Sequence, residues 1–225
     1  IFFLSSFGLK TDRFNKNISD QIKINYPKIN VNFNEIKLLL NPFDLSLILE
    51  TKNPKIFFEK KEVKLKKIST TYNILAFFRN EFGINNLDLE SEKNEVKNLV
   101  KLLRLNKDTP QLYLIDKAIN KGKVSFEAKV NFNEKGKIED DFKVSGKITD
   151  LYLNLLNKNE IKDLNFNFNF FNKNIDLKNL SLNYLNLKIL SENISLKTKN
   201  KFYLVQGNIN NPSQIIPNEI ISLIL

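Results

Sequence analysis

Apolar residues fall on every second position through most of this chain, most regularly between Val124 and Leu196. Val124, Phe126, Ala128, Val130 and Phe132 alternate with Ser125, Glu127, Lys129 and Asn131. After a turn at Asn133-Glu134-Lys135-Gly136, the period resumes at Phe142, Val144, Gly146 and Ile148. It continues at Leu151, Leu153 and Leu155, then at Leu164, Phe166, Phe168 and Phe170. A period of two gives each strand one apolar face and one wet face. Short strands separated by turn residues predict an antiparallel meander whose apolar faces share a side. Later strands are predicted at Ile175 and Leu177, at Leu180 to Ile189, at Ile194 and Leu196, and at Phe202 to Ile209.

The first half repeats the theme. Ile29, Val31 and Phe33 open an alternating run that passes through Ile36, Leu38 and Leu40, then Phe43, Leu45, Leu47 and Leu49. Asn41-Pro42 marks a turn, because proline donates nothing to a ladder and presets a turn φ. With Asn53-Pro54 leading into Ile56 and Phe58, and Val63 and Leu65 into Ile68, a meander of about five strands is predicted.

Helical spacing interrupts this pattern in a few places. Thr11 can cap a helix carrying Phe14, Ile18 and Ile22 as one stripe before Pro27 ends it. That helix would lie across the end of a sheet or on a membrane surface. Ser69 to Phe82 predicts a second helix, stopped by Gly83. Ser91 to Asn106, with Val96, Leu99, Val100 and Leu103, predicts a third. Thr109-Pro110 begins a fourth through Leu112, Ile115 and Ile119, closed by Gly122.

At 225 residues and 42% hydrophobic, the chain can fill one large all-β domain or two small ones. Lys and Arg number 35 against 25 Asp and Glu, a formal charge of +10. The lysines are spread over every segment and form no basic arm, so nucleic acid is not an expected partner. Absence of Cys and His removes disulfides, Ser-His and Cys-His nucleophile pairs and ordinary zinc sites. The densest carboxylates, Glu90, Glu92 and Glu95 and then Glu139, Asp140 and Asp141, lack calcium-loop spacing and read as turns and helix starts. The six glycines are not grouped into a phosphate loop. The chain is therefore read as a non-enzyme with no catalytic residues, metal or cofactor.

No run approaches the roughly 20 apolar residues that span a bilayer. Ile1 to Phe7 fits either the tail of a membrane anchor or a core strand. Lack of Met, and the apolar run from Ile215 to Leu225, read as a fragment with more protein on either side.

About a dozen one-sided strands and three or four short helices leave more apolar surface than a soluble monomer tolerates. Two covers are available. A second sheet would make a β-sandwich. Acyl chains could instead fill a trough, since burying one CH₂ is worth about 0.8 kcal/mol and a 16-carbon chain on the order of 10 kcal/mol before entropy. Sequential strands without long crossovers, wet outward positions and Gly146 on the apolar face favour the trough.

The segment from Phe33 to Ile68 carries Asn41-Pro42-Phe43-Asp44-Leu45-Ser46-Leu47 and then Asn53-Pro54-Lys55. Further on come Lys121-Gly122-Lys123-Val124, Asn133-Glu134-Lys135-Gly136 and Ser145-Gly146-Lys147-Ile148-Thr149-Asp150-Leu151. These turn and alternation motifs resemble the amino-terminal region of the bacterial AsmA-like family. The resemblance implies a mainly β fold with a few short helices, an elongated, curved antiparallel sheet forming an open groove. It also implies an inner-membrane anchor upstream, a periplasmic location, and conduction of phospholipid between the inner and outer membranes. Outer-membrane or periplasmic proteins would be further partners, and a β-domain assisting outer-membrane assembly without lipid cargo is the alternative.

On this reading residues 1–27 hold the end of the anchor and the amphipathic helix with Phe14, Ile18 and Ile22. Residues 28–122 form a first groove segment, 123–211 a second, and 212–225 the start of another. The expected acyl-chain lining is collective: Phe126, Val130, Phe132, Phe142, Val144, Leu153, Phe166, Phe168 and Phe170.

Overall fold

A computed structural model describes residues 5–12, 15–25, 27–58, 61–79, 83–106, 108–133, 135–155, 159–199, 202–212 and 215. The first half contains β1 (Leu9–Thr11), α1 (Asn15–Asn25), β2 (Ile29–Asn32), β3 (Ile36–Asn41), β4 (Ser46–Lys52), β5 (Lys55–Phe58) and β6 (Lys61–Asn73). Next come α2 (Ile74–Arg79), β7 (Ile84–Ser91), β8 (Asn94–Glu95), α3 (Val96–Asn106) and α4 (Pro110–Ala118). The remainder is strand: β9 (Ile119–Asn131), β10 (Lys143–Leu155), β11 (Asn159–Phe171), β12 (Asn174–Tyr184), β13 (Leu187–Lys199) and β14 (Phe202–Gly207).

The fourteen strands form one sheet in the order β1-β3-β4-β6-β7-β9-β10-β11-β12-β13-β14, with β2-β5 branching from β6 and β8 from β9. The path has two ends, so the sheet is open and not a barrel. This is the mainly β, antiparallel architecture that the period of two predicts.

Two compact units divide the chain, residues 1–92 with 126–144 and residues 93–125 with 145–225. In the first unit one apolar ladder crosses successive strands. Leu9 lies opposite Leu38, Leu38 opposite Leu49, and Leu40 opposite Leu47. Thr51 meets Ile68, Ile68 meets Leu89, and Leu87 meets Val130. Directly opposed residues share a face, so these side chains make one surface. In the branch Ile56 lies opposite both Val31 and Val63; Val31 and Val63 are buried, as are Ile36 and Leu65 elsewhere in the unit. Helix α1 is tied to that branch. Ser19 Oγ donates to the Val31 carbonyl at 2.7 Å, and Asn15 Nδ2 to those of Phe33 and Asn34, both at 3.1 Å.

The helix predicted over Ser69–Phe82 starts later than the spacing suggests. Ser69 to Asn73 belong to β6, where Ser69, Thr70, Thr71 and Tyr72 pair with β4 and β7; β-branched and aromatic side chains fit a two-sided strand. Helix α2 begins after Asn73, whose Oδ1 accepts from the Leu75 N–H at 2.9 Å. Likewise the predicted helix through Gly122 ends at Ala118, and β9 begins at Ile119.

The second unit explains a spacing of three that breaks the period of two. Ile148 is followed by Leu151, Ile161 by Leu164, and Leu177 by Leu180, yet all six pack in one cluster. Asp150, Asp163 and Asn179, each just before the second leucine, have φ of 53°, 51° and 52°. That left-handed step adds a residue without changing face, and the β11–β12 register shifts on either side of Asn165 as a bulge requires. Asp and Asn tolerate this conformation because their short side chains bond locally. The Asp150 N–H donates to Asn165 Oδ1 at 3.0 Å, and Asn165 Nδ2 to the Asp163 carbonyl at 2.7 Å. Gly122, at φ 150°, joins the same region, where a Cβ would sit 2.7 Å from Leu151 Cδ1. The hairpins at Asn172-Lys173 and Leu185-Asn186 have positive φ at both central residues, the twist that matches two-residue turns to their strands.

Candidate functional site: the apolar face

In the first unit most of the ladder is half-buried, although Ile36 and Thr51, paired on the same face, are buried. Leu38, Leu40, Leu47, Leu49, Ile68, Leu87, Leu89, Ala128 and Val130 are neither enclosed nor fully open. Leu9 at its margin is exposed. The opposite face is mixed: half-buried Leu39 lies opposite Ile48, and ion pairs occupy other positions on it. Lys67 Nζ lies 2.7 Å from Glu50, Lys66 Nζ lies 2.9 Å from Glu90, and Asp88 is opposite Lys129. The Glu90 hydrogen bond and charge hold the Lys66 ammonium above its ordinary pKa.

The second unit treats the same kind of face differently. Val96 and Val100 of α3 form a buried cluster with Ile119, Val124, Leu151, Leu164 and Leu180, and Leu99 packs against it. Spacings of three and four place those three α3 residues on one side of the helix. Leu103, expected on that stripe, is exposed. Ile119 is 1% exposed, the most enclosed side chain described. Helix α4 is inverted: Tyr113, Leu114 and Ile115 are exposed while Asp116 is buried. Arg104 accounts for this by donating to Asp116 at 2.6 Å and to Asp108 at 2.8 Å. Its guanidinium also lies 5.0 Å from the Tyr113 ring centre, a cation–π contact. The hydrogen bond from Arg104 holds the Asp108 carboxyl below its usual range.

The expected lining residues divide between these settings. Val130 lies on the half-buried ladder opposite Leu87. Phe126 is half-buried, its N–H donating to the buried Ser91 Oγ at 2.7 Å. Phe132 forms an isolated bridge with Ile138, and Phe142 and Val144 enter and begin β10, all half-buried. Leu153, Phe166 and Phe168 instead pack against the α3 cluster, with the two phenyl rings edge to face at 6.5 Å. Phe170, opposite Ile175, is half-buried. Phe14 and the side chains of Ile18 and Ile22 lie outside the described residues. The ladder from Leu38 to Leu89 extends the candidate surface beyond the expected set. Its signal was the same alternation, written in leucine rather than phenylalanine.

Comparison with family models, curated proteins and solved structures finds no match. The carboxylate groups are locally engaged: Glu90 with Lys66, Glu95 with Lys123, and Asp141 with Asn131 Nδ2 at 2.8 Å. Among the described residues no group of three acidic side chains is placed to hold a metal, and no helix is long and apolar enough to cross a membrane.

Proposed function

We propose that the chain is a lipid-conducting segment of an AsmA-like periplasmic protein anchored in the inner membrane. Phospholipid acyl chains lie along the apolar face while headgroups stay in water, on a path between the inner and outer membranes. The observation that carries this reading is the half-buried ladder of the first unit, from Leu38 through Leu49, Ile68 and Leu87 to Val130. A largely apolar face, interrupted by Thr51 and Thr70, offers an acyl chain its contacts, and each CH₂ it covers is worth about 0.8 kcal/mol. Packing of Leu153, Phe166 and Phe168 against the buried cluster of the second unit supports a second reading, a structural β-domain that assists outer-membrane assembly without lipid cargo.

The test is a photo-crosslinking amino acid at Leu49, Leu87 or Val130, with Asp88 on the wet face as control, followed by mass spectrometry of the protein and its organic extract. Phospholipid adducts at the first three positions and none at Asp88 support conduction. A folded, lipid-free protein with no adduct at any position removes it in favour of the structural reading.

A further inference from the structure

Helix α4 faces the wrong way for a core helix. Its one buried residue is Asp116, while Pro110, Gln111, Tyr113, Leu114, Ile115 and Lys117 are exposed. At about 3.6 residues per turn these six occupy one broad arc with Leu114 near its middle, and Leu112 and Asp116 lie on the other side. Leu114 is exposed by 56%, Tyr113 and Ile115 by 46% each, and Leu103, next to Arg104 on α3, by 57%. Lys117 Nζ stands 5.6 Å from the Tyr113 ring centre, so the arc is apolar with a cation on its flank. It presents no acid, because the pair with Arg104 keeps Asp116 inside.

The segment that carries α4 also concentrates charge. From Lys93 to Lys123 there are eight Lys and Arg and three acidic residues, a surplus that is half of the chain's net +10 within 31 residues. All three acids are tied to cations of the same segment, Glu95 to Lys123, and Asp108 and Asp116 to Arg104. We propose that α4 lies flat on an anionic lipid bilayer, with Leu114 and Ile115 among the upper acyl carbons, Tyr113 at headgroup level and Lys117 on lipid phosphate. Charge complementarity selects this occupant. Outward aliphatic side chains, a basic surplus and no outward acid are what a helix bound in a membrane interface needs, and each basic side chain near an anionic surface adds to the attraction. Nine residues rise only about 13 Å, too little to cross a bilayer, so the helix runs along the surface. The contact belongs to the second unit and does not rest on acyl chains lying along the ladder of the first, so either reading can fail alone.

The test is flotation of the 225-residue chain with vesicles of phosphatidylcholine alone or with one phosphatidylglycerol for every two phosphatidylcholines. Binding is expected on the anionic vesicles only, and it should weaken as salt is added. Leu114→Glu/Ile115→Glu, at exposed positions and therefore keeping the circular dichroism spectrum, should raise the dissociation constant at least about tenfold, and Lys117→Gln about fivefold. The chain has no cysteine, so a nitrobenzoxadiazole label on Leu114→Cys reports the arc itself. Its emission should shift to the blue on anionic vesicles and be quenched by spin-labelled lipid. Failure to float, equal flotation with both vesicle types, or anionic binding that the double variant leaves intact overturns the proposal. So does a label already shielded in buffer, which assigns the arc to a second copy if shielding grows with protein concentration and to the chain's own polypeptide if it does not.

Discussion

The two units solve one problem in two ways. Both present a ladder of leucine, isoleucine, valine and phenylalanine on one face of an antiparallel sheet. In the second, an eleven-residue helix ahead of β9 lowers Val96, Leu99 and Val100 onto it, and Leu151, Leu164 and Leu180 become buried. In the first, the corresponding leucines stop at half-burial. Strand chemistry alone therefore does not make a core. Whether a period-two face is closed depends on an element that the strands themselves do not encode.

The sharpest way to break this comparison is to remove the cover. Val100→Asp places a carboxylate inside the α3 cluster and should cost more than about 4 kcal/mol, with dye binding to newly exposed apolar surface in the second unit. Unchanged urea denaturation would mean α3 is not the cover. Next is a matched pair of truncations. Leu164→Ala should lose about 3 kcal/mol, as a buried leucine does, and Leu87→Ala about 2 kcal/mol, because part of its surface stays in water. Equal losses would show that the first unit is closed over Leu87 after all.

A smaller effect tests how the covered ladder is aimed. Asn179→Val forces a β-branched residue into the left-handed region and should cost about 1–2 kcal/mol, while Asn179→Gly should be close to neutral. If both variants match the native protein, the left-handed step does not orient Leu180. The smallest effect is electrostatic. The folded carboxyl of Asp108 is held below its unfolded value by Arg104. That pair therefore stabilises the α3–α4 connection above about pH 3.9, the unfolded range, and the contribution fades as pH falls through the lower folded value. Melting temperature followed from pH 5 to pH 2 should lose this acid limb in Asp108→Asn. An unaltered acid limb would show that the Arg104–Asp108 bond is not formed in solution.

Much of this was legible from residue order. Alternation from Ile36 to Leu49 and from Val124 to Phe170 gave strands, faces and antiparallel sense, since backbone geometry alone fixes a period of two. The α3 stripe was readable for the same kind of reason, three or four residues per turn. The bulges were not, because Asp150, Asp163 and Asn179 sit where any wet residue would, and only backbone conformation separates a turned step from a break between strands. Helix α4 misled because Leu112, Ile115 and Ile119 fit a helical stripe, whereas the Arg104–Asp116 pair buries the acidic side and leaves Leu114 and Ile115 outside.

The sequence by itself determined that this protein is a succession of one-sided strands joined by short turns, because side-chain alternation is a local property of the extended chain. Tertiary structure alone decided which of those apolar sides would be closed. Closure depends on a helix meeting leucines from three different strands, and the distance in sequence between such partners carries no periodic signal.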